Sequence, residues 1–351
     1  MFGMGTLPQK VIVFCPNWVG DVVMSTPALT CLRENYPEST FICVIRKYVR
    51  SVIEDGPWFD EILDENDKSR TGFIKLVMKI HKIKPDMVIL LRNSFRSALI
   101  ARLGGAKNIY GYRRDGRSLL LKDGPAPDRN KDGYAPVPMA RYYLELCRFL
   151  KLRMPENTRP VLHFSPMIYE KGSRLLARYG ITPNDMVIGL NPGAKFGSSK
   201  CWPPGYFARL AELFEKHFGC KILLFVGPGE EEIARSLMDS CKASIINTGP
   251  DRVDLSLLKP LIKRCNLLVT NDTGPRHYAV SFDIPTIVLM GPTNPLFTAS
   301  HLEKTVVLRH ELDCAPCHEK KCPHTHHNCM KMISPDDVLQ ASVNLLTELR
   351  I

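Results

Sequence analysis

The chain has 351 residues, of which 44% are apolar and 24% charged, with a formal net charge of +11. That length suggests two domains, and the composition excludes a disordered or collagen-like chain. The positive excess favours anionic partners: phosphorylated metabolites, nucleic acid or an anionic membrane surface. No run approaches the ~20 apolar residues needed to span a bilayer. The amino terminus, Met1 to Lys10, has no apolar stretch of the secretory kind. A cytoplasmic location is expected, with at most peripheral attachment to the inner membrane.

In chain order, Val11-Ile-Val-Phe-Cys15 predicts a buried strand, and Ala28 to Glu34 a helical stretch. Phe41-Ile-Cys-Val-Ile45 predicts a second strand, Phe73 to Ile83 an amphipathic helix, and Met87-Val-Ile-Leu-Leu91 a third strand. Short apolar runs bounded by breakers and separated by helices indicate a parallel sheet covered on both faces. Asp123 to Pro138 is poor in apolar residues and rich in Pro, which predicts a surface loop, and Tyr142 to Leu152 predicts a helix.

A second round of alternation begins near residue 185. Val187-Ile-Gly-Leu190 runs into Asn191-Pro-Gly193, with a helix from Tyr206 to Phe218. Lys221 to Val226 runs into Gly227-Pro-Gly229, then a helix from Glu231 to Cys241. Leu267-Leu-Val269 runs into Asn271-Asp-Thr-Gly274 and a helix to Phe282, and Thr286 to Met290 ends at Gly291-Pro292. Ser334-Pro-Asp-Asp337 reads as the capped start of a final helix. Loops rich in small residues at the carboxyl ends of strands are where open α/β sheets bind ligands.

Three segments carry chemistry. In Asn17-Trp-Val-Gly-Asp21, Gly20 permits close backbone approach and Asp21 is placed to act as a general base; the ordinary alternative is an acid capping a helix. Asn191 to Pro203 offers Lys195 and Lys200 to a diphosphate without the G-K-[ST] ending of a P-loop; two solvated lysines are the plainer reading. Thr270 to His277 joins Asp272 and Thr273 to Gly274, which opens a helix whose amides suit a phosphate. Acids in Glu230-Glu-Glu232 sit in a first helical turn, where the dipole favours them, or reach ribose hydroxyls. No Asp-x-Asp pair occurs, so neutralisation of a diphosphate by lysine and helix amides, with no metal cofactor, is expected.

These segments, with Asn17 to Pro27 and Asn93-Ser-Phe-Arg-Ser-Ala-Leu99, resemble in order and spacing the heptosyltransferases of glycosyltransferase family 9. The resemblance spans nearly the whole chain. It implies an α/β GT-B fold, two Rossmann-like parallel-sheet domains facing across a cleft. The divisions expected are residues 1–175 for the acceptor, 176–333 for the nucleotide-sugar donor, and a helix at 334–351 packing back on the first domain. The implied donor is ADP-heptose. The implied acceptor is a lipid-anchored Kdo/heptose oligosaccharide, with transfer of a second heptose onto heptosyl-Kdo2-lipid A.

By the resemblance, Asp21 is the base of an inverting attack and Lys200 holds the diphosphate, with Gly20, Lys195, Asp272, Thr273, Gly274 and His277 around the donor. The ribose acid falls in Glu230 to Glu232, with Glu231 favoured. Asn93, Ser94, Arg96, Arg113, Arg114 and Arg117, together with Arg92, are expected to meet the anionic acceptor. Arg276 departs from the family pattern, where an apolar residue is common.

Of twelve cysteines in a reducing compartment, Cys15, Cys31, Cys43, Cys147, Cys220 and Cys265 read as buried small hydrophobes, but Cys314-x2-Cys317-x4-Cys322-x6-Cys329 lies among His318, His324, His326 and His327. Such density suggests a structural zinc site; reduced, unligated thiols are the alternative, since the spacing matches no standard zinc module. The same cluster and the net charge are compatible with nucleic-acid binding, but no recognition module is visible and nucleic acid is not expected as a partner. A dehydrogenase is disfavoured because the dinucleotide glycine fingerprint is missing.

Overall fold

The computed structural model describes residues 7–65, 69–131 and 133–351. The first six residues of the amino-terminal stretch and Asp132 of the expected surface loop lie outside it. The chain divides into two compact units, the first running to Val161 and including Leu296–Ser300, the second holding the remainder. Among the described residues no helix is long and apolar enough to cross a membrane.

The first unit alternates β1 (Lys10–Phe14), α1 (Val19–Asn35), β2 (Thr40–Ile45), α2 (Lys47–Arg50), β3 (Glu61–Asp64), α3 (Arg70–Ile83), β4 (Met87–Leu90), α4 (Phe95–Leu103) and β5 (Ile109–Gly111). Its sheet has the order β3-β2-β1-β4-β5, every pair parallel. The β1 residues Val11 to Phe14 are wholly buried, as strands between two helical layers must be. The loop expected between Asp123 and Pro138 carries a small antiparallel hairpin of β6 (Arg129–Asn130) and β7 (Gly133–Tyr134). Helix α5 (Met139–Phe149) then packs on α1, with Tyr142, Tyr143, Leu146 and Cys147 buried.

The second unit begins with α6 (Pro166–Arg178), then β8 (Val187–Asn191), α7 (Pro204–Phe218), β9 (Lys221–Leu224), α8 (Glu231–Asp239), β10 (Ile245–Asn247) and α9 (Leu258–Lys263). It continues with β11 (Leu267–Asn271), α10 (Gly274–Ser281), β12 (Thr286–Leu289), β13 (Thr305–Leu308), α11 (Asn328–Lys331) and α12 (Pro335–Leu349). Its six strands are also all parallel, in the order β10-β9-β8-β11-β12-β13. The core under α7 and α12 is built from Trp202, Phe207, Phe214, Ile222, Leu267 and Ile287, with Val338, Leu345 and Leu346 from α12.

Two expected boundaries are corrected. A division at residue 175 would cut α6, which belongs wholly to the second unit because Gly172 brings it against α9; a Cβ there would lie 2.5 Å from Pro260 Cγ. The carboxy-terminal helix is no separate piece but part of the second unit, whose core its apolar stripe completes. The short strands β3, β5, β10 and β13 and helix α6 escape a reading based on long apolar runs, because the strands are only three or four residues long and α6 buries only Gly172, Leu175 and Leu176.

The start of α12 is as its sequence predicts. The Ser334 hydroxyl accepts from Asp337 N at 3.1 Å, and the Asp337 carboxylate accepts from Ser334 N at 3.1 Å, a reciprocal capping box. Ser334→Ala should lower unfolding free energy by about 1 kcal/mol, read as a lower urea midpoint at unchanged slope.

Candidate active site

In each sheet the strand order reverses beside the first strand of the unit, between β1 and β4 and again between β8 and β11. At such a reversal the connections leave in opposite directions and expose the carboxyl ends of two strands. Every segment singled out by its chemistry, apart from the cysteine cluster, lies at or near one of these ends.

In the first unit the loop after β1 leads straight into α1, with Gly20 and Asp21 in its first turn. The N-cap is Trp18, so Asp21 is not the cap residue that the plainer reading would make it. Its carboxylate Oδ1 instead accepts from the Tyr143 hydroxyl at 3.1 Å. Tyr143 is fully buried on α5, and burial together with the Asp21 charge holds its phenol well above the ordinary range. The tyrosine therefore stays protonated as a donor and fixes the carboxylate's orientation.

The loop after β4 is bound into the same end of the sheet. Asn17 Oδ1 accepts from Arg92 Nη1 at 3.1 Å and from Arg46 Nε at 3.2 Å, and Arg92 pairs with Glu65 at 2.5 Å. Arg117 is completely buried, donating to Tyr112 O, Arg92 O and Asn93 Oδ1 at 2.6–2.9 Å. Two expectations change here. All three guanidinium nitrogens of Arg117 are engaged in the fold, and Arg92 is a buried ion-pair member, so neither presents its charge to an acceptor. Asn93 Oδ1 is taken by Arg117 and Tyr142, and Ser94 caps α4 by accepting from Ser97 N.

Three of the expected arginines keep some exposure. Arg113 is the most open, Arg96 lies 3.8 Å from Glu65, and Arg114 stacks on Tyr134 with its guanidinium 3.8 Å from the ring centre. Arg46 and Lys47 were given no part in the reading of the sequence. With Tyr48 and Glu65 they line a recess of about 470 Å³, and the Tyr48 hydroxyl donates to Asn17 O beside the Asp21 loop. Adjacent basic residues were the only available signal.

In the second unit the loops after β8 and β11 are tied together by buried amides. Asn191 Nδ2 donates to Thr270 Oγ1 and Thr273 Oγ1, both at 3.0 Å, and Asn271 Nδ2 donates to Pro192 O at 2.7 Å. Lys200, ending a 3-10 turn, donates to Asp272 Oδ2 at 2.7 Å and to Asp272 O at 2.9 Å. Asp272 also accepts from Arg276 Nη1 and from Thr293 Oγ1, each at 2.8 Å. Burial opposes the Asp272 charge, but Arg276 and Lys200 outweigh it and hold the carboxyl far below the usual range. Thr273 and Gly274 stand at the amino end of α10, where backbone amides point outward.

The acid that faces this loop is Glu230, not Glu231. Glu230 accepts from Gly227 N at 2.8 Å, and a Cβ at Gly193 would lie 1.9 Å from its carboxylate. Burial raises its carboxyl, partly offset by that amide and by the charge of Lys195, which is itself exposed. Glu231 is exposed, and its carboxylate accepts from Gly229 N at 3.2 Å. Spacing alone left the register open between adjacent glutamates; the start of α8 decides it, since Glu230 is the non-helical N-cap residue and Glu231 the first helical one.

The cysteine-rich segment braces the Lys200 turn. Ser199 donates from N to Lys320 O at 3.1 Å and from Oγ to Glu319 O at 2.5 Å, while His327 Nε2 donates to Ser199 O at 2.7 Å. Gly197 is required by this approach, since a Cβ would fall 2.2 Å from Lys320 O. Cys329 is buried and its thiol is pushed up to about 11 by burial and by neighbouring Cys322, Cys317 and Cys314. Among the described residues no group of His, Cys, Asp or Glu is arranged as a metal-holding set, so the expected zinc site gains no geometry here.

His277 is buried and its imidazole is pushed down to about 3 by burial and by the Arg276 charge. The unfolded chain takes up that proton near pH 6.5. The group's stability contribution is therefore intact above that pH and lost as pH falls toward 3, amounting to about 2 kcal/mol at pH 5. Urea unfolding at pH 7 and pH 5 measures this loss, and His277→Gln should remove that part of the difference.

The model for glycosyltransferase family 9 (heptosyltransferase) matches residues 73–327. The lipooligosaccharide heptosyltransferase 2 of Campylobacter jejuni is 29% identical over 346 residues, covering 96% of this chain and 98% of that protein. The lipopolysaccharide heptosyltransferase 2 of Salmonella typhimurium is 26% identical, covering 97% and 99%. Among solved structures, a family 9 glycosyl transferase from Veillonella parvula matches with a TM-score of 0.83 at 26% identity over 97% of both chains. The E. coli ADP-heptose LPS heptosyltransferase II matches at 0.80 and 25% identity, over 97% of this chain and all of that one. With two parallel-sheet units of GT-B type and a family match across most of its length, the chain is a glycosyltransferase and belongs to glycosyltransferase family 9, the heptosyltransferases.

Proposed function

We propose that the chain transfers a heptose from ADP-heptose to the inner core of lipopolysaccharide, adding the second heptose to a heptosyl-Kdo2-lipid A acceptor in the cytoplasm at the inner membrane face. The observation that carries this reading is the Lys200–Asp272 pair at 2.7 Å beside the amino end of α10, at the point where the second sheet reverses its strand order. A lysine and a row of outward amides on Gly-bordered loops suit a nucleoside diphosphate. Relatives named as heptosyltransferase 2 support the choice of sugar and acceptor.

In this reading Lys195, Lys200, Thr273 and Gly274 surround the diphosphate, Glu230 takes the ribose hydroxyls, and Asp272 and His277 shape the donor pocket. Gly20 leaves room for the sugar. Asp21 removes the proton of an acceptor hydroxyl as its oxygen attacks the anomeric carbon from the face opposite the diphosphate. The bond from that carbon to the diphosphate oxygen breaks, ADP departs and configuration inverts. Lys200 and the α10 amides stabilise the charge that grows on the leaving group, which needs no metal ion. Arg46, Lys47, Arg96, Arg113 and Arg114 are available to anionic groups of the acceptor.

ADP release from ADP-heptose should depend on heptosyl-Kdo2-lipid A and persist in excess EDTA. Asp21→Ala should lower turnover by at least about 100-fold while ADP still binds, and Tyr143→Phe should lower kcat by a smaller factor. Wild-type protein that releases no ADP with this acceptor, or loses turnover in EDTA, would sink the respective part of the proposal.

A further inference from the structure

Residue 276 is the third residue of α10, and side chains on a helix lean toward its amino terminus. The Arg276 guanidinium accordingly reaches back to the loop residue four positions earlier, where Nη1 donates to Asp272 Oδ1 at 2.8 Å. Lys200 occupies the other oxygen, Oδ2, together with the Thr293 hydroxyl. The three charged side chains are nearly dry: Arg276 is 1% exposed, Asp272 9% and Lys200 13%.

One buried carboxylate thus holds two cations on separate oxygens. A buried carboxylate left without a cation is strongly unfavourable, so a lysine that is its sole partner resists leaving. With Arg276 in place, Asp272 keeps a cation on Oδ1 and a hydroxyl on Oδ2 whatever Lys200 does. The trio also carries one net positive charge at the amino end of α10, where that charge and the helix dipole both attract an arriving anion.

We infer that Arg276 is a positioning residue for donor binding: by holding Asp272, it releases the Lys200 ammonium to the diphosphate of the nucleotide. This rests on the reading of the second unit as the nucleotide site. Arg276 touches no phosphate in this scheme and acts only through Asp272 and Lys200.

The test compares ADP with adenosine, which lacks the phosphates, by titration calorimetry on the full chain. Arg276→Met should weaken ADP binding by at least about tenfold and leave adenosine binding within about twofold. Arg276→Lys should recover most of the ADP affinity. In a Lys200→Met background the Arg276→Met change should add nothing to the loss for ADP, because the two residues act in series. Should Arg276→Met fail to melt cooperatively, Arg276→Gln, which keeps a hydrogen-bond donor without the charge, gives the same comparison. Equal losses for ADP and adenosine mean a structural role and overturn the inference, as does unchanged ADP affinity. Wild-type protein that binds no ADP overturns the nucleotide reading itself, and the inference with it.

Discussion

Parallel strands cannot be joined by a tight turn, so each connection must climb back over a face of the sheet, usually through a helix. Both units obey this constraint with central first strands, β1 and β8, from which the chain winds outward in one direction and then the other. The reversal leaves two strand ends per sheet whose following loops diverge. Every other feature of the site depends on those ends. The Asn17–Asp21 and Asn93–Ser94 segments follow β1 and β4, and the Asn191–Lys200 and Asn271–Gly274 segments follow β8 and β11. Residues about 75 positions apart in the chain meet in hydrogen bonds such as Asn17 with Arg92, because adjacent strands end side by side.

The loops at these ends are held by buried polar groups rather than by apolar packing. Asn191 and Asn271 stitch the loops after β8 and β11, and Arg117 performs the same task on the other sheet by donating to three oxygens. Such networks are stabilising only when every member is satisfied, and they then fix a single loop conformation. A preorganised loop is what a site needs if its dipoles are to meet developing charge without first rearranging. The positive charge of the chain is thus partly structural. Arg92, Arg117 and Arg276 are all buried, and their charge is consumed inside the fold instead of being displayed on its surface.

The cysteine-rich segment belongs to the same logic. It reaches the Lys200 turn through main-chain carbonyls at Glu319 and Lys320 and through the His327 ring, and Gly197 allows the approach. A segment whose composition suggests metal chemistry therefore serves, in this structure, to support the turn that carries Lys200.

Much of this was legible from the residues alone. Apolar runs bounded by glycine and proline located the central strands, because a strand buried on both faces has no polar face to disguise it. The Ser334–Asp337 cap and the position of Asp272, Thr273 and Gly274 at a helix start followed from local backbone chemistry, which needs only neighbours in sequence. Tertiary structure decided what depends on direction and burial. The non-helical N-cap backbone turned Glu230 inward, while Glu231, the first residue of α8, stayed in solvent. Packing drew α6 and α12 into the second unit, since their apolar stripes needed a core that no local pattern identifies. Burial separated Arg117, an internal strut, from Arg113, an exposed cation, although the two are four residues apart and identical in chemistry. A side chain's type is written in the sequence; whether its charge is engaged by carbonyls or open to solvent depends on which distant segments surround it.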